Sequence, residues 1–299
     1  MNISCAGLKL DRQWRAAIGM NEERFFQLLN AFKTSYSSYY GDELKSQLVG
    51  DQSVYCIKNE EDLLLFTLFS LKSGLTYDVL GFVCGMNGSN AKRNQTVGLD
   101  ILQLTLDYLD HMPRRSFTDV ADFERFFSKE KELILDVTEQ RKQRPIEKEK
   151  QKEYYSGKKK DHTLKSMIIS NSKKRIGYIS QSFIGKKHDY AILKEIFLPS
   201  KHWFRHFSVL VDLGYLGIKK DYLCNQIEIP HKKTKTKPLT LVQKSENKIF
   251  SAKRIFVEQS IGGIKRYRIL SDRLRIHHID LYDKILGICT GLWNFYIFK

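Results

Sequence analysis

Two aspartates follow short, strongly apolar runs: Asp136 comes after Leu133-Ile134-Leu135, and Asp212 after Val209-Leu210-Val211. Both runs read as buried strands, so each acid stands at a strand end, where a charge is costly unless it is paired or metal-bound. A third acid, Glu258, lies in a helical stretch with Arg254 four residues before it and Lys265 seven after, all near one helical face. Two strand-end acids and one helix acid can converge over a sheet edge. Three such carboxylates suit two hard divalent cations about 4 Å apart, an arrangement that supports in-line attack on a phosphodiester. Each acid also has a structural use: Asp136 could cap a turn, Asp212 could start the Gly214-Tyr215 loop, and Glu258 could be neutralised by Arg254. All three in this order, in a basic chain, favour the metal site.

The elements that must position them begin near residue 130, where the texture changes. Leu133–Leu135 is a short strand, followed by a basic insert over 141–165 with ten Lys or Arg against four acids. Lys165–Ser170 and Arg175–Ile184 read as a strand pair around a turn at 171–174. His188-Asp189 opens a helical run to Phe197, with Asp189 as its cap. A fourth carboxylate or a means of steadying water is the alternative use of that pair. Ser208–Val211 and Gln226–Ile229 are further strands, a long helix is predicted over Leu241–Tyr267, and a last one over Leu281–Phe298. Strands with both antiparallel and parallel neighbours imply a mixed sheet flanked by helices.

The first 130 residues read as mostly helical. Glu60–Leu71 is acidic at its start and apolar nearly all round, which implies a buried helix. Leu75–Leu109 splits into two helical pieces around Gly85-Met86-Asn87-Gly88, with Ser89 capping the second and Leu99, Leu102 and Leu106 at helical spacing. Gly81 and Gly85 allow close approach and a permissive turn, as in a helix-turn-helix. Ser89, Asn90, Lys92, Arg93, Asn94 and Gln95 at the start of the second piece suit base edges and phosphates. An ordinary helical hairpin with a solvated face accounts for the same stretch equally well.

With 299 residues, two domains are expected. The formal net charge of +16 favours a polyanionic partner, nucleic acid before anionic membrane. The longest apolar stretch, 285–298, is broken by Thr290 and Asn294 and is shorter than the roughly 20 residues of a membrane span. The N-terminus has no secretory apolar core. Five scattered cysteines without a C-x-x-C pair support neither zinc ribbon nor disulfide framework and fit a reducing cytosol.

The segments LILDVTEQ, QRPIEKEKQKEYYSGKKKDHTLK, VLVDLGYLG and PHKKTKTKPLTLVQKSENKIFSAKRIFVEQSIGGIKRYRIL resemble the DDE-type transposases of bacterial insertion sequences, in the branch with a helix-turn-helix ahead of a DDE endonuclease domain. The likeness covers 131–275 strongly and 60–110 more loosely. It implies an α/β, ribonuclease-H-like domain over 126–299, preceded by a helical region over 1–125 with the helix-turn-helix at about 60–110. By its motifs the catalytic and metal-binding acids fall on Asp136, Asp212 and Glu258, with two Mg2+ ions for which Mn2+ can substitute. Arg254, Glu258 and Lys265 match the Arg, Glu and Lys of the family's Tyr-Arg-Glu-Lys signature, while Ser251 stands where the Tyr is expected, which bears on handling of a flipped base or hairpin. The implied partner is double-stranded DNA, as element ends and target, with no membrane, a homo-oligomer on DNA, and a nucleoid-associated place in a bacterial cytoplasm.

Holding DNA against three acids requires cations. Lys158, Lys159 and Lys160 in the insert, Lys232, Lys233, Lys235 and Lys237 in the loop after Pro230, and Arg254, Lys265, Arg266 and Arg268 are the candidates, joined by Ser89, Asn90, Lys92 and Arg93. Tyr154 and Tyr155 either stack on a base or lie half-buried on the sheet. Two other functions fit the same residues: a catalytically silent, transposase-derived DNA-binding protein, and a structure-specific DNA nuclease.

Overall fold

A computed structural model of the protein describes residues 1–48, 55–234, 238–276 and 278–298. The chain divides into two units, one of Met1–Met112, Ile264–Leu274 and Lys284–Lys299, the other of Pro113–Gly263 and Arg275–Asp283. The first boundary thus falls at residue 112 rather than 125, and most of the last helix groups with the N-terminal region. That helix is apolar on nearly every side: Ile285, Leu286, Ile288, Cys289 and Leu292 are all buried.

The first unit is helical. It contains α1 (Asp11–Ile18), α2 (Glu22–Tyr40), α3 (Glu60–Ser73), α4 (Tyr77–Cys84) and α5 (Gly88–Tyr108). Asn59 caps α3 by accepting from the Asp62 N–H at 2.9 Å, and Glu60, Glu61 and Asp62 complement the helix dipole. The α4–α5 pair has the compact turn expected of it. Gly85 takes φ +79°, and a Cβ on Gly81 would lie 2.6 Å from the Met86 carbonyl oxygen. The cap of α5 is Asn87 rather than Ser89, because the Asn87 side chain reaches the Asn90 N–H at 2.8 Å and starts the helix earlier. Gln95 is not on the outer face. It is buried, donating to Ser70 Oγ at 2.8 Å and accepting from the Tyr77 hydroxyl at 3.0 Å.

The second unit is built on a mixed sheet, with seven strands among the described residues. These are β1 (Glu132–Arg141), β2 (Tyr155–Ser156), β3 (Asp161–Ser170), β4 (Ile176–Ile179), β5 (Phe183–Ile184), β6 (Ser208–Leu210) and β7 (Gln226–Glu228). The order is β2-β3-β1-β6-β7, with β4 and β5 also pairing with β3. β1 and β3 are antiparallel, while β1–β6 and β6–β7 are parallel. The helices are α6 (Val120–Phe126), α7 (Lys148–Tyr154), α8 (Asp189–Ile196), α9 (Ile218–Asp221) and α10 (Leu241–Lys265); α11 (Ile279–Ile297) follows.

Several elements differ from the sequence expectation. β1 does not stop at Leu135: its pairing with β3 continues through Arg141↔Thr163, so Asp136 lies within the strand. The run 175–184 is two strands, broken at Ser180–Ser182, where the Ser180 hydroxyl turns to the Met167 N–H. The basic insert is ordered into α7 and β2. Gln151 folds the helix back on its lead-in, accepting from Arg144 at 2.7 Å and donating to the Pro145 carbonyl at 2.8 Å.

Alternation along the strands separates two faces. Leu133, Leu135, Met167, Ile169, Val209 and Val211 enter one core cluster with Phe123, Ile192, Leu193, Phe197, Phe204 and Tyr215. Residues of the other parity, Glu132 and Asp136 on β1 and Glu228 on β7, meet α10. Lys253 Nζ lies 3.1 Å from Glu132 and 2.8 Å from both Glu228 oxygens, and Arg254 lies 3.1 Å from Asp136. Consecutive cations thus dock one helix across the sheet.

Candidate active site

Register brings the first two acids together. Ile134 pairs with Leu210 across the parallel β1–β6 ladder, so Asp136 and Asp212 each stand two residues beyond the same rung, with the same parity. Neighbouring strands run about 4.8 Å apart. The carboxyl ends of parallel strands are where open α/β sheets place their ligands.

Asp136 accepts from the Val137 N–H through Oδ1 at 2.8 Å and from Arg254 Nη2 through Oδ2 at 3.1 Å. Its side chain is 16% exposed and that of Arg254 is 18% exposed. Burial pushes the Asp136 carboxyl above the usual carboxylate range against the pull of Arg254, with Asp212 adding to the rise. Asp212 Oδ1 accepts from the Gly214 N–H at 2.7 Å, fixing the tight turn after β6.

Glu258 is exposed, one helical turn beyond Arg254 on α10. Arg254 is spent on Asp136, not on Glu258. Among the described residues, no group of three or more His, Cys, Asp or Glu side chains stands arranged to hold a metal ion. Asp212 lies close enough to Asp136 to raise its carboxyl, while Glu258 stands exposed on α10.

Asp189 lies on the same cavity as Asp212. It does not cap α8: His188 is the cap, its Nδ1 accepting from the Tyr190 N–H at 3.3 Å. The Asp189 carboxylate is thereby released for Lys165, whose Nζ donates to Oδ1 at 2.9 Å and to the Lys187 carbonyl at 2.8 Å. A cavity of about 320 Å3 opens here, lined by Asp189, Asp212, Lys158, Lys165, Lys186 and Lys187 along with Ser156, Gly157, Gly185, His188 and Gly214. Two acids sit among four lysines, a composition suited to a phosphate carried with a cation. Tyr215 is fully buried, and its hydroxyl has no hydrogen-bond partner among the described residues. Burial and the charges of Asp136, Asp189 and Asp212 hold that hydroxyl far above its ordinary pKa, so it stays protonated.

Sequence reasoning missed Lys165, Lys186, Lys187, Tyr215 and Lys253. Lys165 did leave a signal, since a lysine inside the apolar run Leu164–Ile169 needs a buried acid.

Of the expected DNA-contacting residues, Ser89, Asn90, Lys92 and Arg93 are exposed along the start of α5, and Lys158, Lys159 and Lys160 are exposed in the β2–β3 turn. Lys232 and Lys233 are exposed after β7, while Lys235 and Lys237 lie outside the described residues. Lys265 is partly buried. Arg266 is committed to packing: its guanidinium stands 3.7 Å from the Tyr296 ring centre and 5.4 Å from that of Trp293. Tyr155 is 45% exposed, whereas Tyr154 is partly buried beneath Lys142 Nζ at 3.8 Å.

Residues 135–294 match the sequence profile of the DDE superfamily endonuclease family. The chain is also 27% identical over 295 residues to a probable transposase for insertion sequence element IS702 from Microchaete diplosiphon, covering 99% of this chain and 98% of that protein. No solved structure matches. No helix among the described residues is long and apolar enough to cross a membrane.

Proposed function

The chain belongs to the DDE superfamily of endonucleases, and from that premise we propose that it is an insertion-sequence transposase that cuts DNA at its element's ends and joins them to target DNA. The observation that supports this reading is the parallel β1–β6 pairing, whose last rung, Ile134↔Leu210, lies two residues before both Asp136 and Asp212, beside a lysine-rimmed cavity. The α/β fold, a mixed sheet flanked by helices, agrees with a ribonuclease-H-like domain.

DDE superfamily endonucleases generally use divalent metal ions, and the donors here fit them. Carboxylate oxygens suit hard cations, and the buried Tyr215 hydroxyl, without a hydrogen-bond partner among the described residues, is a polar group such a site can use. Asp136 and Asp212 would hold the cations, proposed as two Mg2+ with Mn2+ as substitute, and Glu258 would join from α10. Cations held by these acids would supply Lewis-acid stabilisation of the charge that develops as a phosphodiester is cut.

The chain's own residues do the rest. Lys158, Lys186 and Lys187 draw the phosphate backbone toward the acids. Arg254 balances Asp136 at 3.1 Å. Water attacks phosphorus as the bond to the 3′-oxygen breaks, leaving a 3′-hydroxyl that attacks target DNA in the same geometry. The carboxylates bind cations rather than phosphorus, so no covalent protein–DNA intermediate forms. Recognition of inverted repeats is assigned to the exposed start of α5 within the helical N-terminal region, with a homo-oligomer holding two ends in the bacterial nucleoid.

Purified protein, DNA carrying the element's ends and Mg2+ test this. Nicks at the ends with free 3′-hydroxyls are expected, and Asp136→Asn should abolish them while DNA binding persists. Binding without nicking under any metal condition would favour the silent DNA-binding protein. Cutting of branched DNA without regard to end sequence would favour the structure-specific nuclease.

A further inference from the structure

The acids of the site are not balanced alike. Arg254 faces Asp136, and Lys165 faces Asp189. Asp212 has no basic side chain in ion-pair contact among the described residues, yet it neighbours both other acids. A single point beside Gly214, where a Cβ would sit, lies 2.8 Å from Asp212 Oδ1 and 3.6 Å from Asp189 Oδ2. Both acids open into the same cavity.

Each of the two also keeps one oxygen free. Asp212 Oδ1 is taken by the Gly214 N–H and Asp189 Oδ1 by Lys165, which leaves Oδ2 of each without a donor among the described residues. Lys165 is itself buried and anchored on the Lys187 carbonyl, so it fixes the direction in which Asp189 Oδ2 points. Tyr215 supplies an independent sign. Its hydroxyl is wholly buried, has no hydrogen-bond partner among the described residues, and lies within electrostatic reach of Asp136, Asp189 and Asp212. A desolvated hydroxyl without a partner is costly, so its place within reach of three carboxylates points to a polar ligand.

We propose that Asp189 and Asp212 together hold a divalent cation through their free oxygens, and that the Tyr215 hydroxyl, staying protonated, donates a hydrogen bond to a water in that cation's shell. The inference rests on reading the chain as a metal-dependent DNA-cutting enzyme, and it adds Asp189 to the three acids of the family pattern. Lys165 is then a positioning residue, and its tie to the helix-opening Asp189 explains why His188, not Asp189, caps α8.

The test is Mn2+ binding by the full chain without DNA, read from the paramagnetic resonance of free Mn2+. Asp189→Asn should weaken binding about tenfold or more, and Tyr215→Phe about tenfold, as loss of outer-shell partners does at other metal sites. Thermal melting checks that the variants fold. Should Asp189→Asn fail to fold, Asp189→Glu decides, because it keeps the charge for Lys165 but misplaces the free oxygen: a severalfold loss supports the proposal and wild-type affinity overturns it. Loss of binding in Asp136→Asn and Asp212→Asn with none in Asp189→Asn would sink this inference and leave the proposed function standing. A wild-type chain that binds no Mn2+, alone or with duplex DNA, would sink both.

Discussion

Replacing Arg254 by Met should produce a protein that is unstable without metal and recovers with it. Asp136 and Arg254 are both more than four-fifths buried, and the 3.1 Å contact is the only ion pair that Asp136 makes among the described residues. Removing one partner of such a buried pair costs about 3 kcal/mol, because the remaining charge is stranded. For a unit of roughly 150–250 residues, each 1 kcal/mol moves the melting temperature by about 2–4 °C, so Arg254→Met should melt about 6–12 °C lower. A cation at Asp136 replaces the lost charge. At a concentration 100 times its dissociation constant, a ligand adds about 2.7 kcal/mol, nearly the whole deficit. The wild type gains less from Mn2+, since its cation must first displace the guanidinium. The pH dependence has a definite sign. Burial raises the folded Asp136 carboxyl, and loss of Arg254 raises it further. A raised carboxyl binds its proton more readily in the folded state, so its penalty is full above the folded pKa and vanishes below the ordinary value near 3.8. Melting curves of both proteins, with and without Mn2+, from pH 7 down to pH 4 read all of this. Equal Mn2+ shifts in the two proteins, or a deficit that grows on acidification, would refute the reasoning.

Lys253→Met should destabilise the second unit by about 2 kcal/mol, less than a fully buried pair because the lysine is 36% exposed. Adding Glu228→Gln should recover most of that loss in a chemical-denaturation cycle, and additive losses would count against the coupling of Lys253 to Glu228. Lys253 is raised chiefly by its hydrogen bond to Glu228, so this contribution should hold through neutral pH and fade only above about 10.5, where the folded lysine deprotonates. Joint replacement of Lys158, Lys159 and Lys160 by Ala should flatten the plot of log affinity against log salt by about 2 to 3, and an unchanged slope rejects their phosphate contacts. A Cβ on Gly98 would fall 1.8 Å from Thr67 Oγ1, so Gly98→Ala should cost about 1–3 kcal/mol, part of which Thr67→Ala restores.

Where a position's neighbours in sequence dictate its surroundings, the chain was legible. Val209-Leu210-Val211 has to be a buried strand, and the acid following it has to sit at the edge of a core. The α4–α5 turn is equally local, since Gly81 and Gly85 answer to a carbonyl and a left-handed backbone a few residues away. What stayed hidden depends on partners remote in the chain. Asp136 looks like a strand-end residue until β3 carries β1 five residues further. Asp189 has a good capping position, and only the geometry of His188 and Lys165 shows it doing something else. Arg254 could reach Glu258 by helix spacing, but the β1 register offers it a more buried acid. In each case the local rule named an allowed pairing, and tertiary burial selected another.

Charge selects those pairings. A basic chain of +16 has cations to spare, and most of them reach water at little cost. An acid at a sheet edge does not have that choice, so each buried carboxylate draws in the nearest cation that can follow it. Arg254 and Lys165 do this for Asp136 and Asp189. Asp212, held in a turn by its own Oδ1 to the Gly214 N–H, draws in none among the described residues. An amide could make the same turn without the charge. The cation proposed above gives the Asp212 carboxylate its use, so Asp212→Asn should raise the melting temperature of the metal-free protein while abolishing the rise that Mn2+ gives the wild type. A metal-free Asp212→Asn variant that melts below wild type would show that the carboxylate is structural after all.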